Sequence, residues 1–555
     1  MGVVAAALND TGGALRTVFA NPGLRRLNLA FGGSMIGDWA YVTAIAVWAY
    51  GLGGAELVAL WAVIRMLLRA VVTPFTATLA DRHDRKLLMV TSDLLRMVLI
   101  TGAALLIWAD LPVLVFVLAG TASVVGTPFL PAMRAMLPSL VSRPEELTSA
   151  NGTSSALESL SFFAGPALAA LLLTTTSAPV VLLFNAATFA WSALLISRIR
   201  PAFPADATSG TEGDDADEPA DAGFLRDTLE GFTYMLRHAD LRVLLVLCCT
   251  QTIVAGASGV FVVSIAFDLV DLGAPGVGFL ESALGLGALL GGFIALSRAS
   301  KNRLGGDFAT GVVLWSAPLV LVAIWPSVGV ALLVMAILGL ANPLVDVNLD
   351  TMLQRLTPDR LLGRVFGTLE SAYIASMALG AGLMPLLLKL VGLRWALAVI
   401  GVGVALSVVP ALPRLLRLDE TLRAPAALPL LQAIPMFAPL ASTTLEGLAR
   451  QLTQVRVAAG SPVFLEGDIG DAFYVIESGE VRIGHGPATL RTEVAGDYFG
   501  EIALLRGVRR TADAIAVEDT VLQKLDRTAF LEAVTGDNDA VSAAESVVSR
   551  RLLTG

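Results

Sequence analysis

The sequence is poor in the residues that metal centres and catalytic sites use. Among 555 residues there are two cysteines, three histidines and only 15% charged side chains, whereas a soluble domain carries about 25%. Adjacent side chains point about 100° apart on a helix, so a disulfide between Cys248 and Cys249 is unfavourable. His83, His238 and His485 lack a metal-ligand spacing, and no basic stripe runs through the chain. We therefore expect no metal, no enzymatic activity and no nucleic-acid partner.

Apolar residues are what the chain has in excess. They make up 55% of it, and the mean hydropathy is +0.74. A helix that crosses a bilayer needs about 20 consecutive apolar residues. Runs of that length are predicted at 27–50, 56–79, 87–108, 111–133, 151–175, 178–198, 241–267, 275–297, 306–324, 328–349, 367–390 and 393–412. They predict an all-α membrane domain of twelve transmembrane helices in two six-helix halves, a repeat typical of secondary transporters.

The residue composition and its pattern change in two places outside these runs. The segment "PAFPADATSGTEGDDADEPADAG" is acidic and too polar to fold, so it predicts a linker between the halves. Near the C-terminus, short alternating runs split by glycines predict a cytoplasmic antiparallel β-roll, or jelly roll, with flanking helices. The predicted segments are a transporter half (1–198), an acidic cytoplasmic linker (199–226), a second transporter half (227–413), a linker (414–429) and the β-domain (430–555).

Lysine and arginine concentrate in alternate loops between the predicted spans. They occupy the loops after spans 2, 4, 8 and 10, while the turns after spans 1, 3, 5, 7 and 9 have none. The turn after span 11 is the exception, with Lys389 and Arg394. Positive charge marks the cytoplasmic side, and no signal peptide is predicted at the N-terminus. We therefore expect a multi-pass protein of a bacterial inner membrane, with both termini and the β-domain in the cytoplasm.

Ionisable residues inside predicted spans are unfavourable in lipid, so each suggests a function. Asp38 lies midway along span 1 and Arg69 at similar depth in span 2, with Arg65 one turn away. Asp38 and Arg69 are predicted to pair, either structurally or as a site where a proton on Asp38 releases the arginine. Glu158 and Arg96, in the cytoplasmic thirds of spans 5 and 3, form a second predicted pair.

Two further acids lie nearer the membrane surfaces. Glu281 belongs to the outer third of span 8, and Glu370, near the cytoplasmic end of span 11, is expected to act at a gate or a helix cap. The central cavity is predicted to be largely apolar, which suits a lipophilic or amphipathic substrate better than a sugar. Its candidate lining residues are Trp39, Trp61, Phe162 and Gln251.

The loop after span 2, "TATLADRHDRKLLM", resembles the signature Gly-x-x-x-Asp-Arg-x-Gly-Arg-Lys of the major facilitator superfamily. Ala77 and Asp84 replace its glycines. The residues that match are Asp81, Arg82, Arg85 and Lys86. Such charges at a helix end can cap a neighbouring helix and form switchable ion pairs. A positive-inside anchor would explain the cations but not the acid.

Span 5 contains "FFAGPALAALL", which resembles the antiporter signature of the same superfamily through Gly165 and Pro166. Small residues there permit close helix approach and a pivot, or simple packing with a kink. The loops "PSLVSRPEELTSANG" and "MLQRLTPDRLLGRVFG" resemble the bacterial branch of macrolide and siderophore exporters and lysophospholipid transporters. The resemblance covers about residues 25–415.

The stretch "YFGEIALLRGVRRTADAIA" starts at Tyr498 and has the parts of an anion site. Gly500 allows a ligand close to the backbone, and "EIALL" can form a short helix. Arg510 can grip a phosphate, and Glu501 can accept hydrogen bonds from a sugar hydroxyl.

The context from about residue 430 to 553 resembles the cyclic-nucleotide-binding domain of bacterial catabolite activators, kinase regulatory subunits and gated channels. That resemblance implies that Arg510 binds the cyclic phosphate and Glu501 the ribose 2′-hydroxyl. The other implied ligand-binding residues are Phe499, Gly500, Ile502, Ala503, Thr511 and Ala512. The final helix, predicted at 540–553, would be the lid. The implied ligand is cyclic AMP, with cyclic GMP as an alternative.

The sequence as a whole predicts a cyclic-nucleotide-regulated secondary active transporter. It would export a lipophilic or amphipathic compound in exchange for protons by alternating access. Two alternatives stay open: an amphipathic-lipid (lysophospholipid) flippase, and a cyclic AMP-sensing receptor whose transporter body is inactive. Charges inside the spans disfavour the receptor, because an inactive body has no need of them.

Overall fold

The computed structural model describes residues 18–82, 84–141, 144–199, 231–299, 303–422, 425, 427–440, 442–486, 488–535, 541–547 and 549. The chain forms two compact units, Met1–Thr421 and Leu422–Gly555. Almost all of the predicted acidic linker, and the residues 550–553 of the predicted lid, lie outside the described residues.

The first unit is helical throughout its described part. Its long helices show little amphipathicity, as expected where lipid rather than water covers the outer face, whereas the short segments Phe129–Met136 and Leu412–Thr421 are strongly amphipathic. They are α1 (Pro22–Arg82), α2 (Arg85–Trp108), α3 (Pro112–Val125), α4 (Phe129–Met136), α5 (Pro144–Thr175), α6 (Ala178–Ser197), α7 (Ala239–Ser264), α8 (Gly273–Ala299), α9 (Leu304–Leu314), α10 (Leu319–Ile324), α11 (Val328–Leu356), α12 (Asp359–Val408) and α13 (Leu412–Thr421).

The two longest helices bend at glycines. The 61-residue α1 departs from helical geometry at Gly53 and Gly54, and the 50-residue α12 does so at Gly392. Gly54 and Gly392 have φ values of 61° and 77°, which glycine adopts without steric cost. Both bends fall where the sequence predicts one span to end and the next to begin. Nine segments of the described chain are long and apolar enough to cross a bilayer, and the count of twelve stays a prediction.

Glycines bring pairs of helices into backbone contact. A Cβ on Gly256 of α7 would lie 2.0 Å from the Met377 carbonyl oxygen of α12, and one on Gly380 would lie 1.9 Å from the Ile253 oxygen. Gly339 of α11 meets α8 equally closely. Such contacts take the place of hydrophobic burial, which drives little association in lipid.

The helix α13 closes the first unit on the N-terminus of α9. Asp419 accepts hydrogen bonds from the backbone N–H groups of Gly305, at 2.6 Å, and Gly306, at 3.1 Å. Its carboxylate thus satisfies donors that every helix leaves unpaired at its start. Arg414 forms an ion pair of 3.1 Å with Asp240 of α7. Residues of the predicted linker up to Thr421 are therefore packed against the helical body.

The second unit is an antiparallel β-roll with flanking helices, as predicted. Its two four-stranded sheets have the strand orders β1-β8-β3-β6 and β2-β7-β4-β5. The strands are β1 (Thr453–Val457), β2 (Pro462–Phe464), β3 (Ala472–Ser478), β4 (Glu480–His485), β5 (Ala488–Val494), β6 (Tyr498–Phe499), β7 (Asp513–Ala516) and β8 (Thr520–Asp526). The helices are α14 (Leu428–Gln432), α15 (Ser442–Gln451), α16 (Glu501–Arg506) and α17 (Arg527–Thr535).

The core of the β-roll rests on stacked aromatic rings. Phe473 of β3 packs between Phe437 and Phe530, with ring centroids 5.6 and 4.9 Å apart. The first five residues of β3 are all buried, because the strand is covered on both of its faces. This packing fixes the strands that frame the segment between β6 and β7, where the predicted anion site lies.

Candidate functional site

A cavity of about 480 Å³ opens among the helices α1 to α6. Its wall is mostly apolar, as expected, but it also carries five charged side chains. These are Asp38, Arg65, Arg69, Arg96 and Glu158. The structure therefore brings together five of the six residues that the sequence nominated for coupling. The sixth, Glu281 of α8, accepts a hydrogen bond from the Thr43 hydroxyl of α1.

The centre of the charged cluster is Arg96. Its Nη2 donates to both carboxylate oxygens of Asp38 at 2.6 Å, and its Cζ lies 3.9 Å from the centre of the Phe189 ring. The sequence assigned other partners, Arg69 to Asp38 and Glu158 to Arg96. Asp38 was expected midway along its span and Arg96 in the cytoplasmic third, so counting residues fixed neither their relative depth nor the rotation of each helix.

Sequence reasoning missed Asp93. This fully buried carboxylate lies 3.8 Å from Arg96 Nη1 on the same helix, so one guanidinium faces two acids. The signal was present in the sequence, because an acid three residues before an arginine shares its helix face. The cluster therefore links the cavity, through Asp38, to a carboxylate that lies behind the wall.

The loop after α1, which carries the charged signature residues, holds helix ends together. Arg85 Nη1 donates to the Ala135 carbonyl and Lys86 Nζ to the Ile199 carbonyl, both at 2.8 Å. These carbonyls lie at or just beyond the C-terminal ends of α4 and α6, where cations are favourable. Asp84 caps α2 by accepting from the Leu87 N–H at 2.8 Å. The signature side chains that fall outside the described part are those of Asp81 and Arg82.

The predicted hinge in α5 lies at two close helix contacts. A Cβ on Gly165 would come 2.4 Å from the Trp39 Cβ of α1. A Cβ on Gly278 of α8 would come 2.5 Å from the Pro166 carbonyl oxygen. Gly165 and Pro166 thus lie where α5 meets a helix of each half.

Glu370, which was expected to act at a gate or a helix cap, is exposed on α12.

The predicted anion-site segment of the second unit, residues 499–512, forms a compact cassette around Arg510. Gly500 adopts φ 92° and starts α16, and a Cβ there would lie 2.8 Å from Arg510 Nη1. Arg510 donates to the Gly500 carbonyl at 2.9 Å and to the Ala472 carbonyl at 2.7 Å. Its Cζ lies 4.0 Å from the centre of the Phe464 ring.

One carboxylate also reaches this arginine. Asp471 Oδ1 lies 3.3 Å from Arg510 Nη2, and Oδ2 lies 3.3 Å from Lys524 Nζ. Burial tends to raise the pKa of Asp471, but the hydrogen bond and charge of Lys524 outweigh it, so the pKa is lowered. The acid is therefore charged at neutral pH and competes with any other anion for Arg510.

The remaining cassette residues divide into buried and open positions. Glu501 is fully buried, and Phe499, Ala503 and Ala512 are buried as well. Thr511 is exposed and Ile502 half-buried. Arg510 Nε is buried and has no acceptor among the described residues, so the guanidinium retains a donor for a ligand. These residues fit a ligand that carries an anionic group next to a hydroxyl group.

Sequence analysis assigned no role to two side chains beside the cassette, those of Asp513 and Arg509. Asp513 accepts from the backbone N–H groups of Glu466 at 2.8 Å and Gly486 at 2.9 Å. These donors, in that order, lower the pKa of Asp513. Arg509 Nη1 donates to the Gly467 carbonyl at 2.7 Å. Both side chains tie together the turns around the cassette.

A helical bundle with a charged cavity, followed by a β-roll with an anion cassette, defines a multi-pass membrane protein with a ligand-binding domain. The family model of the Major Facilitator Superfamily matches residues 27–310, and the chain belongs to that superfamily. The model of the cyclic nucleotide-binding domain matches residues 454–537. The predicted fusion of these two families is confirmed.

Relatives match the two parts separately. Macrolide efflux protein A of Streptococcus pyogenes is 25% identical over 348 residues, which are 62% of this chain and 83% of that protein. The cAMP-dependent protein kinase regulatory subunit of Aspergillus niger is 36% identical over 119 residues, 21% of this chain and 28% of its own. The Mycobacterium tuberculosis protein Rv0104 is 37% identical over 139 residues, 25% of this chain, and the chain spans about a quarter (24%) of its length.

Proposed function

We propose that the protein is a secondary transporter of a bacterial inner membrane, which exports a lipophilic or amphipathic compound in exchange for protons and is regulated by a cyclic nucleotide. The observation that carries the transport proposal is the ion pair of Asp38 and Arg96 in the wall of the cavity. Similarity to macrolide efflux protein A supports export as the direction.

Proton coupling follows from the chemistry of that ion pair. The Asp38 side chain is 29% exposed to the cavity, whereas Arg96 is 11% exposed. A proton that reaches the carboxylate removes its charge and weakens its hold on the guanidinium. Arg96 is then attracted by Asp93. A pair with two arrangements can bias the bundle between inward-open and outward-open states, which alternating access requires.

The cassette is the proposed regulatory site. Arg510 would hold the cyclic phosphate, and the buried Glu501 would accept from the ribose 2′-hydroxyl. The backbone at Gly500 admits the ligand because no Cβ stands there. Similarity to a cAMP-dependent kinase subunit supports cyclic AMP as the ligand, and cyclic GMP stays the alternative because a cGMP-dependent protein kinase is equally identical. The nucleotide regulates transport only if it binds one transporter state more tightly than the other.

The topology is part of the same proposal. Twelve crossings, with both termini, the acidic linker and the β-roll in the cytoplasm, agree with the alternation of lysine and arginine in the loops. The bends at Gly54 and Gly392 support two crossings in each of α1 and α12. The cassette then lies in the compartment where cyclic nucleotides are made.

Flux measurements in proteoliposomes test the proposal. The purified chain is reconstituted with labelled erythromycin or labelled lysophospholipid, and flux is measured with and without a pH gradient and with cyclic AMP on the side of the β-roll. We expect flux that needs the gradient and changes severalfold with cyclic AMP. Nucleotide binding without flux of any compound would instead favour a receptor, and flux that ignores the gradient would exclude proton coupling.

A further inference from the structure

The cavity wall is rich in hydrogen-bond donors. Besides the three arginines, it includes Trp39, Tyr41 and Asn185. Trp39 Nε1, Tyr41 Oη and Asn185 Nδ2 are each buried and have no hydrogen-bond partner in the described part of the protein. Asn185 Oδ1 accepts from the Thr188 hydroxyl at 3.2 Å, which leaves its amide N–H₂ to face the other way. A buried donor without an acceptor is unfavourable by itself, so three in one cavity call for an acceptor-rich ligand.

The charged acceptors of the cavity are fewer than its arginines and are partly occupied. Two carboxylates line it, Asp38 and Glu158, and Asp38 already accepts Arg96 through both oxygens. Three arginines against two acids leave the lining with a formal charge of +1 (3 − 2 = +1). Among the described residues, Arg65 has no carboxylate within ion-pair distance, although the charges of Asp38, Glu281 and Arg69 act on it through space. Arg65 therefore keeps guanidinium donors that no carboxylate occupies.

Apolar side chains complete the wall. The larger ones are Phe31, Met35, Ile100, Phe129 and Leu130. A ligand that satisfies the wall has one acceptor-rich, negatively charged end and one apolar end. A cationic amphiphile would bring a second positive charge beside Arg65 and would leave the three buried donors without acceptors.

We infer that the substrate of this cavity carries an anionic group, a phosphate or a carboxylate, which Arg65 binds together with Tyr41 and Asn185. The inference rests on the proposed transport function and specifies its substrate class: an amphipathic anion rather than a cation. Tyr41 and Asn185 supply neutral donors, and Arg65 supplies the charge. The apolar tail packs along Phe129 and Leu130.

Competition binding on the full chain tests this inference. Tritiated 1-oleoyl lysophosphatidic acid is bound to the purified protein and displaced by decyl phosphate, decanoate or decyltrimethylammonium, which share one chain length. We expect at least one of the two anions to compete about tenfold better than the cation, as a charge-assisted hydrogen bond implies. The order of the anions shows whether a phosphate or a carboxylate is preferred.

Variants assign the preference to the named residues. Arg65→Gln is expected to bring anion and cation to within about twofold of each other, and Arg65→Lys to restore most of the difference. Tyr41→Phe removes one hydroxyl and is expected to weaken the anions severalfold while leaving the cation unchanged. Arg394→Gln, at an exposed position of α12, is the matched control and should change nothing. Thermal unfolding of each variant identifies any that is misfolded.

The outcomes separate this inference from the transport proposal. A native chain that binds the cation as tightly as both anions overturns the inference, as does failure of the tritiated probe to bind. Counterflow of labelled erythromycin, a cation, and of labelled lysophosphatidic acid, an anion, in the same preparation reports on transport independently. Flux without a preference for anions leaves the transporter standing and refutes only the substrate class. An anion preference that survives Arg65→Gln refutes the assignment to Arg65.

Discussion

The two units each bury an arginine against an aromatic ring and a carboxylate, but they do so with different partners. Arg96 lies 3.9 Å from the Phe189 ring centre and Arg510 lies 4.0 Å from that of Phe464. The Arg96 side chain is 11% exposed and contacts Asp38 and Asp93. The Arg510 side chain is 1% exposed, and its shortest hydrogen bonds go to backbone carbonyls.

This difference decides what each arginine can respond to. A carboxylate gains a proton and loses its charge, so the partner of Arg96 can be switched by protons. A backbone carbonyl does not titrate, and its hydrogen bond holds Arg510 at any ordinary pH. Under the proposed function, Arg510 would respond to another anion that takes the place of Asp471. The membrane unit would then sense protons and the β-roll a ligand.

The largest effect is expected from Arg510→Ala. It removes the proposed phosphate ligand and leaves the Ala472 and Gly500 carbonyls without their donor, so cyclic AMP affinity should fall at least about 100-fold. Calorimetric titration of the full chain measures this. Arg506→Ala, at an exposed position in the last turn of α16, is the matched control and should stay within about twofold. Affinity retained within about threefold in Arg510→Ala would remove the cassette from the nucleotide site.

Asp38→Asn should remove most proton-driven flux, about tenfold or more, because the amide neither carries a negative charge nor releases Arg96 on protonation. Flux is measured in proteoliposomes under a fixed pH gradient. Asp110→Asn, at an exposed position after α2, serves as control. If Asp38→Asn and Glu158→Gln both transport like the native chain, proton coupling through this cavity is wrong.

Asp471→Asn should act in the opposite direction from Arg510→Ala. The carboxylate competes with phosphate for Arg510, so its removal should tighten cyclic AMP binding severalfold. Because the pKa of Asp471 is lowered, the competition persists at neutral pH and fades only as the pH falls through that lowered value. Titrations at several pH values test this. Asp526→Asn is the control, since Asp526 contacts Lys524 only at 3.8 Å, and equal affinities in both variants would contradict the competition.

The smallest effect is expected at Asp513. Its pKa is lowered in the folded protein, so its contribution to stability is present above the ordinary aspartate pKa and is lost as the pH falls through the lowered one. Asp513→Asn should speed hydrogen exchange at the Glu466 and Gly486 amides at neutral pH. The difference from the native chain should shrink in acid. A difference that is independent of pH would assign the effect to shape rather than charge.

The cassette was predictable because its parts are contiguous in the sequence. A glycine, an acid and an arginine within residues 500–510 carry their own geometry, since one short helix and one turn place them. The flanking β-roll was equally predictable from alternating runs. The sequence did not reveal that Arg510 donates a hydrogen bond to the Ala472 carbonyl, because the strand that carries Ala472, β3, lies far away along the chain.

The sequence singled out five charged residues that line the membrane cavity, but not their pairing. Counting residues along the spans put Asp38 midway and Arg96 in the cytoplasmic third, whereas the structure joins the two side chains. Which acid an arginine meets depends on how each helix is rotated, and helices that are apolar all round give no periodic signal for this. Asp93 was overlooked for the same reason, although its spacing from Arg96 was visible.

The cap that Asp419 places on α9 determines where this chain can be divided. Leu415 fits only against a glycine, because a Cβ on Gly305 would lie 2.2 Å from its carbonyl oxygen. A stop codon after Leu422 would leave that cap in place, whereas one before Leu412 would remove it and expose the start of α9. The first truncation is therefore the one that yields the helical unit without the β-roll and with its own helix ends intact.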